Sequence, residues 1–239
     1  MILLIDIGNT TIDIGIYKEN KLSFLKKIKT HQKFCVNLRN IKNAIICSVV
    51  PPKTKEVLNY LKKRKINNFI IGKDLLVPLK SKYKGILGQD RILNCFGALK
   101  IIKKAPLAVI DLGTAITVDF VDKNYNYRGG IIFPGLRLSL EALLKRAYML
   151  KDIRIKELQR PRKIIGNNSK EAILSGIFLG IRGVCESIIK KLKSKYPNLK
   201  VILTGGDLKI AKSWDFVDKI IPHLNIISLK FIAEHYKIS

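Results

Sequence analysis

One short pattern appears twice in this chain: an apolar run, an Asp-x-Gly turn closed by threonine, and a second run in which apolar and polar residues alternate. Ile2 to Ile5 lead through Asp6, Ile7, Gly8, Asn9, Thr10 and Thr11 into Ile12 to Tyr17, and Leu107 to Ile110 lead through Asp111, Leu112, Gly113 and Thr114 into Ala115 to Val121. Each copy reads as a β-hairpin whose turn is restricted to small residues. Two copies a little over one hundred residues apart predict a duplicated α/β architecture, with halves at 1–104 and 105–239 and a cleft between them. Further strands are expected at 22–28, 44–49 (parallel, ending at Pro51 and Pro52), 68–71, 129–135 and 200–203. Helices are expected at 53–65, at about 172–195 with Ile173, Ile177, Ile181, Val184 and Ile188 facing the core, and at about 229–236. Ser139 reads as the N-cap of a further helix.

The turns have the chemistry a polyphosphate requires. Backbone N–H groups that approach closely, tolerance of positive φ and mobile hydroxyls are supplied by Gly8, Asn9 and Thr10, then by Gly113 and Thr114, and by Gly205 and Gly206 after the strand at 200–203. Asp6 is placed to orient Mg²⁺ through water. A single such turn is equally an ordinary hairpin turn; its repetition favours phosphate. Asp13 and Asp119 are open between a part in the phosphate site and merely facing solvent or bracing a loop. Neither the P-loop nor the dinucleotide glycine fingerprint is present. Gly88-Gln89-Asp90-Arg91 precedes the apolar period Ile92, Leu93, Phe96 and Leu99. A carboxylate at a helix start can accept a hydroxyl proton while the neighbouring guanidinium binds an anion, or it can simply cap the helix.

Composition limits the alternatives. With 239 residues and 47% hydrophobic content the chain can bury a sizeable core. Its 45 Lys and Arg against 18 Asp and Glu give a net charge of +27, which attracts polyanions. The basic residues interrupt apolar periods as solvated helix faces do, and no nucleic-acid motif accompanies them, so nucleic acid is not the expected partner. Cys35, Cys47, Cys95 and Cys185 are too scattered for a disulfide framework or zinc site. The apolar run at the start is far shorter than a membrane span, so the expected location is the cytoplasm, with no membrane partner.

Taken in order, these segments resemble the type III pantothenate kinases, members of the acetate kinase, sugar kinase, heat-shock ATPase and actin superfamily. The match comprises residues 6–10, 48–50, 88–91, 111–119, 129–135 and 204–206, with Gly166 to Ser169 and Ser175-Gly176 between the last two. The resemblance implies duplicated actin-like ATPase domains of ribonuclease H-like fold and ATP-dependent phosphorylation of pantothenate on the route to coenzyme A. It implies that Asp6, Ile7, Gly8, Asn9, Thr10, Thr11, Ile12 and Asp13 form the ATP phosphate turn, joined by Thr114 and Gly205. Asp90 corresponds to the proton acceptor, and Ser81, Tyr83, Gly88, Gln89, Arg91 and Ser169 to the substrate surroundings. Asp111 corresponds to the monovalent cation position, for K⁺ or NH₄⁺, beside Mg²⁺ carried with ATP. The family is homodimeric, with the second half supplying the interface.

The chain departs from the family pattern at Gln89, where alanine is usual and the larger amide narrows the site. It departs again at 79–83, where Tyr83 stands in for a Tyr-x-Asn-Pro segment, and at Ser169, which keeps a threonine's hydroxyl and loses its methyl. Competing readings are a kinase or ATPase of the same superfamily with another acceptor, and a noncatalytic basic regulator that binds nucleic acid.

Overall fold

The computed structural model describes every residue except Leu38, Arg39, Lys156, Lys212 and Ser239. The chain forms two compact units, the first made of residues 1–105, 121–129 and 223–239 and the second of 106–120 and 130–222.

In the first unit, β1 (Ile2–Ile7) and β2 (Thr11–Lys18) form the expected hairpin, and β3 (Lys21–Lys29) continues it. β4 (Asn43–Ser48) pairs parallel to β1, α1 (Pro51–Lys62) follows, and β5 (Asn67–Ile70) pairs parallel to β4. Proline at the first helical positions lacks only an N–H that a helix start leaves unpaired, so α1 begins at Pro51 rather than at Lys53. α2 (Gln89–Ile102) closes the contiguous part of the unit.

The second unit opens with β6 (Leu107–Leu112) and β7 (Ala115–Val121), then β8 (Tyr127–Pro134), α3 (Leu136–Arg146) and α4 (Ser169–Lys195). β9 (Lys200–Gly205) and β10 (Lys219–Ile220) complete its sheet, and α5 (Leu224–His235) ends the chain. The sheets are ordered β3-β2-β1-β4-β5 and β10-β9-β6-β7-β8. Read from the β8 end, the second repeats the first strand for strand. The echo between the turns is therefore an echo of topology.

Strand alternation assigns the core. Leu3, Ile5 and Ile7 share a face with Ile12, Ile14 and Ile46 and meet Val57 and Leu61 of α1. Ile2 and Leu4 point the other way, join Ile45 and Cys47, and meet Leu93 and Phe96 of α2 with Ile226, Leu229 and Ile232 of α5. With both faces covered, β1 reads as a continuous apolar run. In the second unit, Ala108, Ile110, Leu112, Val201 and Leu203 pack on Leu174, Phe178, Ile181, Cys185 and Ile189 of α4.

Several expectations are corrected. The units do not follow a cut at 104/105, because α5 packs its apolar side on the β1/β4 sheet. α5 starts at Leu224, where His223 turns the chain in the left-handed region at φ 53°. Ser139 lies inside α3, whose N-cap is Gly135; its N–H donates to Gly135 O in the helical pattern. α4 starts at Ser169 because Asn168 caps it, accepting from the N–H of Glu171. Its core line passes through Phe178 and Cys185, and Val184 is 43% exposed, since the buried stripe is rotated from the expected one. Among the described residues α4 is the one helix long and apolar enough to cross a membrane, and the same apolar content packs this unit's core.

Candidate active site

Asp6 lies near the end of β1 on the face that carries Ile2 and Leu4. Its neighbours in register are Asp13 on β2 and Cys47 on β4. Directly paired residues share a face, so this end of the sheet presents two carboxylates and a thiol to the side that α2 and α5 cover. α2 brings Asp90 into its first turn, and α5 brings Asn225, whose Nδ2 donates to Asp6 Oδ2. Cys47 ties the group together. Burial pushes its thiol well above the usual range, the charges of Asp6 and then Asp90 raise it further, and the S–H donates to Asp6. The thiol thus stays neutral near two acidic groups that belong to distant parts of the sequence.

Asp90 is the second residue of α2, after the Gly88 N-cap, and Oδ1 accepts the N–H of Arg91 at 2.9 Å. The helix start favours a carboxylate there. A Cβ on Gly88 would stand 2.6 Å from Asp90 Oδ1, so the glycine makes space for this rotamer. Arg91 is 7% exposed, and its guanidinium lies 5.6 Å from the ring centre of Tyr83. Tyr83 is held by its own strap: Lys82 N donates to Tyr127 O, Tyr127 N donates to Lys80 O, and Ser81 Oγ accepts from Tyr83 N at 3.1 Å. The altered segment at 79–83 therefore brings Tyr83 beside Arg91. Gln89 turns to Gly72, where an added Cβ would meet its side chain at 2.6 Å, and its Nε2 donates to Leu87 O at 3.2 Å.

The first turn is closed by Gly8 N donating to Thr11 O at 2.9 Å, and Thr30 Oγ1 donates to Gly8 O at 2.7 Å. Asn9 and Thr10 are exposed at its tip, between Ile7 and Ile12, which belong to the core. Asp13 does not face solvent: it is buried, 3.3 Å from Lys27 Nζ and 3.5 Å from His223 Nδ1. Asp119 is buried as well.

In the second unit, Asp111 is the penultimate residue of β6, in register with Thr204 of β9. Thr114 is exposed in the turn, and Thr114 O accepts the N–H of Gly135 at 2.9 Å. Main chain crowds this turn. A Cβ on Gly135 would come within 2.2 Å of Gly113 O, and one on Gly205, already at φ +112°, within 2.5 Å of the Leu112 backbone. Ser169, at the start of α4, lines an apolar groove of about 590 Å³ with Phe133, Pro134, Gly176, Gly180 and Val184.

The first unit thus gathers Asp6, Asp13, Asp90, Arg91 and Tyr83, and the second gathers Asp111, Thr114 and Gly205. Cys47 and Asn225 were missed by sequence reasoning. Cys47 was accessible in principle from the parallel register of β4; Asn225 carried no local signal. Among the described residues no three His, Cys, Asp or Glu side chains cluster as a metal cage. The carboxylates of Asp6 and Asp90 are the donor type that Mg²⁺ takes when it keeps several waters and binds together with substrate phosphates.

A family model described as type III pantothenate kinase matches residues 2–191. A type III pantothenate kinase of Sulfurihydrogenibium sp. is 39% identical, covering 88% of this chain and 90% of the relative, and one of Persephonella marina is 36% identical, covering 92% of each. Among solved structures, a Baf family protein from Campylobacter jejuni is 25% identical with a TM-score of 0.61, covering 98% of both chains. The activator of 2-hydroxyisocaproyl-CoA dehydratase from Clostridium difficile, at 14% identity and TM-score 0.56 over 99% of this chain and 97% of that one, shares the fold.

Proposed function

The chain belongs to the type III pantothenate kinase family, and we propose that it phosphorylates pantothenate with ATP through Asp90 as the proton acceptor. The enzyme is an ATP-dependent phosphotransferase of coenzyme A biosynthesis. The observation that carries the assignment of roles is that α2, whose first turn holds Asp90, packs on the sheet face that presents Asp6.

In this reading the primary hydroxyl of pantothenate attacks the γ-phosphorus in line. An O–P bond forms, the bond to the β-γ bridging oxygen breaks, ADP leaves, and the hydroxyl proton passes to the Asp90 carboxylate, giving 4'-phosphopantothenate. Arg91, beside Tyr83, holds the pantothenate carboxylate as a fixed cation. The tip of the first turn, Asn9 and Thr10, offers N–H and hydroxyl donors to the phosphates; Thr114 and Gly205 are the corresponding nucleotide contacts of the second unit. Mg²⁺, when bound with the nucleotide, neutralises phosphate charge, and Asp6 would hold it through water. Asp111 is the proposed K⁺ or NH₄⁺ residue, as family membership suggests, its carboxylate being the kind of oxygen ligand that a hard cation takes.

The decisive assay transfers label from γ-labelled ATP to a panel of alcohols, with and without potassium. The expected result is label on 4'-phosphopantothenate; label on another acceptor only would replace the substrate. Asp90→Asn should lower kcat by about 10²–10⁴-fold with ATP affinity nearly unchanged, and equal loss of both would remove Asp90 from its role.

We also propose a homodimer formed through the second unit, in the cytoplasm. Its support is the apolar groove along α4, where Gly176, Gly180 and Gly183 present open positions beside exposed Leu179 and Val184. Small residues let helices approach closely, and an exposed apolar face favours a partner. Light scattering should give twice the chain mass, and Gly180→Arg should halve it; a wild-type monomer would end this proposal.

A further inference from the structure

The last helix contributes a side chain to the phosphate end of the first sheet. Asn225 occupies the second position of α5 and is 219 residues from Asp6, to which its Nδ2 donates. Its other end is engaged too, since Oδ1 accepts the backbone N–H of Ile226 at 2.9 Å. These two contacts determine the amide's orientation. A flipped amide would set NH₂ against a backbone N–H and a carbonyl oxygen against a carboxylate, losing both bonds.

The simplest account is that Asn225 only satisfies one of the N–H groups that a helix start leaves unpaired. That task uses Oδ1 alone, and aspartate would perform it as well. The NH₂ group, directed at a carboxylate, is surplus to it. The backbone supports the aim: Ile226 and Leu229 are anchored in the core beneath the β1/β4 face, and Ser228 Oγ donates to Leu224 O within the same turn. Gly97 of α2 permits the close approach of α5, because a Cβ there would lie 1.8 Å from Ser228 Oγ. α5 therefore cannot shift far without disturbing α2, which carries Asp90.

We infer that Asn225 is a positioning residue for phosphoryl transfer, its amide holding the Asp6 carboxylate in the rotamer from which Asp6 meets the magnesium of the bound nucleotide. The inference rests on the reading of Asp6 given above. Groups that orient a metal-facing carboxylate usually change metal affinity or activity by about 10–100-fold when removed.

The test compares Asn225→Asp, Asn225→Ala and Asp6→Asn by calorimetric binding of a non-hydrolysable ATP analogue with and without Mg²⁺, beside kcat, KM and melting temperature. Asn225→Asp keeps the helix-start acceptor and turns the donor into a repelling oxygen. It should weaken binding of the magnesium-loaded analogue by about 10–100-fold, leave metal-free binding and the KM for pantothenate within about twofold, and melt near the wild type. Asn225→Ala should fall between the two, and serves if the aspartate variant fails to fold. In the Asp6→Asn background, Asn225→Asp should add almost nothing. Unchanged magnesium dependence in the Asn225 variants beside a defective Asp6→Asn overturns the inference alone, as does equal weakening with and without metal. An Asp6→Asn enzyme with wild-type magnesium dependence overturns the reading of Asp6, and the inference with it.

Discussion

The two hairpin turns start from one sequence pattern and end in different surroundings. Around the first, the groups that matter are side chains: Cys47 and Asn225 on Asp6, Lys27 and His223 on Asp13, and Thr30 on Gly8 O. Around the second they are main chain: Gly135 against Gly113 O and Thr114 O, and Gly205 against the Leu112 backbone. The second turn is also tighter, with Gly113 and Thr114 alone between its strands where the first has Gly8, Asn9 and Thr10. A duplicated element has thus diverged, one copy surrounded by exchangeable side chains, the other by main chain that leaves little room beyond hydrogen.

That contrast can be broken first with alanine. Gly205→Ala and Gly135→Ala should each destabilise the protein by about 2–4 kcal/mol in urea unfolding, from strained φ at Gly205 and overlap at both. Gly8→Ala, whose Cβ would stand 3.2 Å from Thr11 O, should cost under about 1 kcal/mol. Equal costs at all three would erase the distinction between the turns.

A second comparison sets Asp6→Asn against Asp111→Asn. The first should lower kcat by about 100-fold and blunt the response to magnesium. The second should lower kcat by roughly 10-fold and shift the activating potassium concentration upward. Titrating each variant with both cations would show whether the responses separate; identical profiles would mean that the two aspartates share one role.

The smallest effect concerns acid stability, where the units behave alike. Hydrogen bonds from Lys53 and from the backbone of Phe34 hold Glu56 below its ordinary 4.5, against an opposing push from burial. Burial pushes Asp218 upward, and the bonds from Lys200 and the Val201 N–H outweigh it, so its carboxyl sits below 3.8. A lowered folded-state value contributes stability that is present above the ordinary carboxylate range and is lost as pH falls through the folded value. Melting temperature should therefore drop as pH falls below about 4.5, and Glu56→Gln and Asp218→Asn should each flatten that decline slightly. An unaltered slope in both variants would remove these ties as contributors.

Much of this was legible in the chain. The hairpins, the parallel strand after the first and the helix opening at Asp90 follow from apolar alternation and from turn chemistry, which act over a few residues. Boundaries drifted where caps decided them: Pro51 and Asn168 each start a helix earlier than its apolar period begins. Ser139 looked like a cap because the residue type fits, yet Gly135 already performs that role one turn before. The buried stripe of α4 was misread because its helix is apolar on more than one side, so periodicity alone could not choose between Val184 and Cys185.

The amino-acid sequence by itself determined the duplication, the small-residue turns and the identity of the acidic groups available to each, because those depend on neighbours in the chain. Only the tertiary structure decided which groups meet. Cys47 stands beside Asp6 through strand pairing, Asp90 is carried to the same face of the sheet by the packing of α2, and Asn225 arrives from the far end because α5 buries its apolar side on the first sheet. Apolar burial is non-directional and carries no address in sequence, so the partner of a carboxylate is settled by which helix face the core accepts.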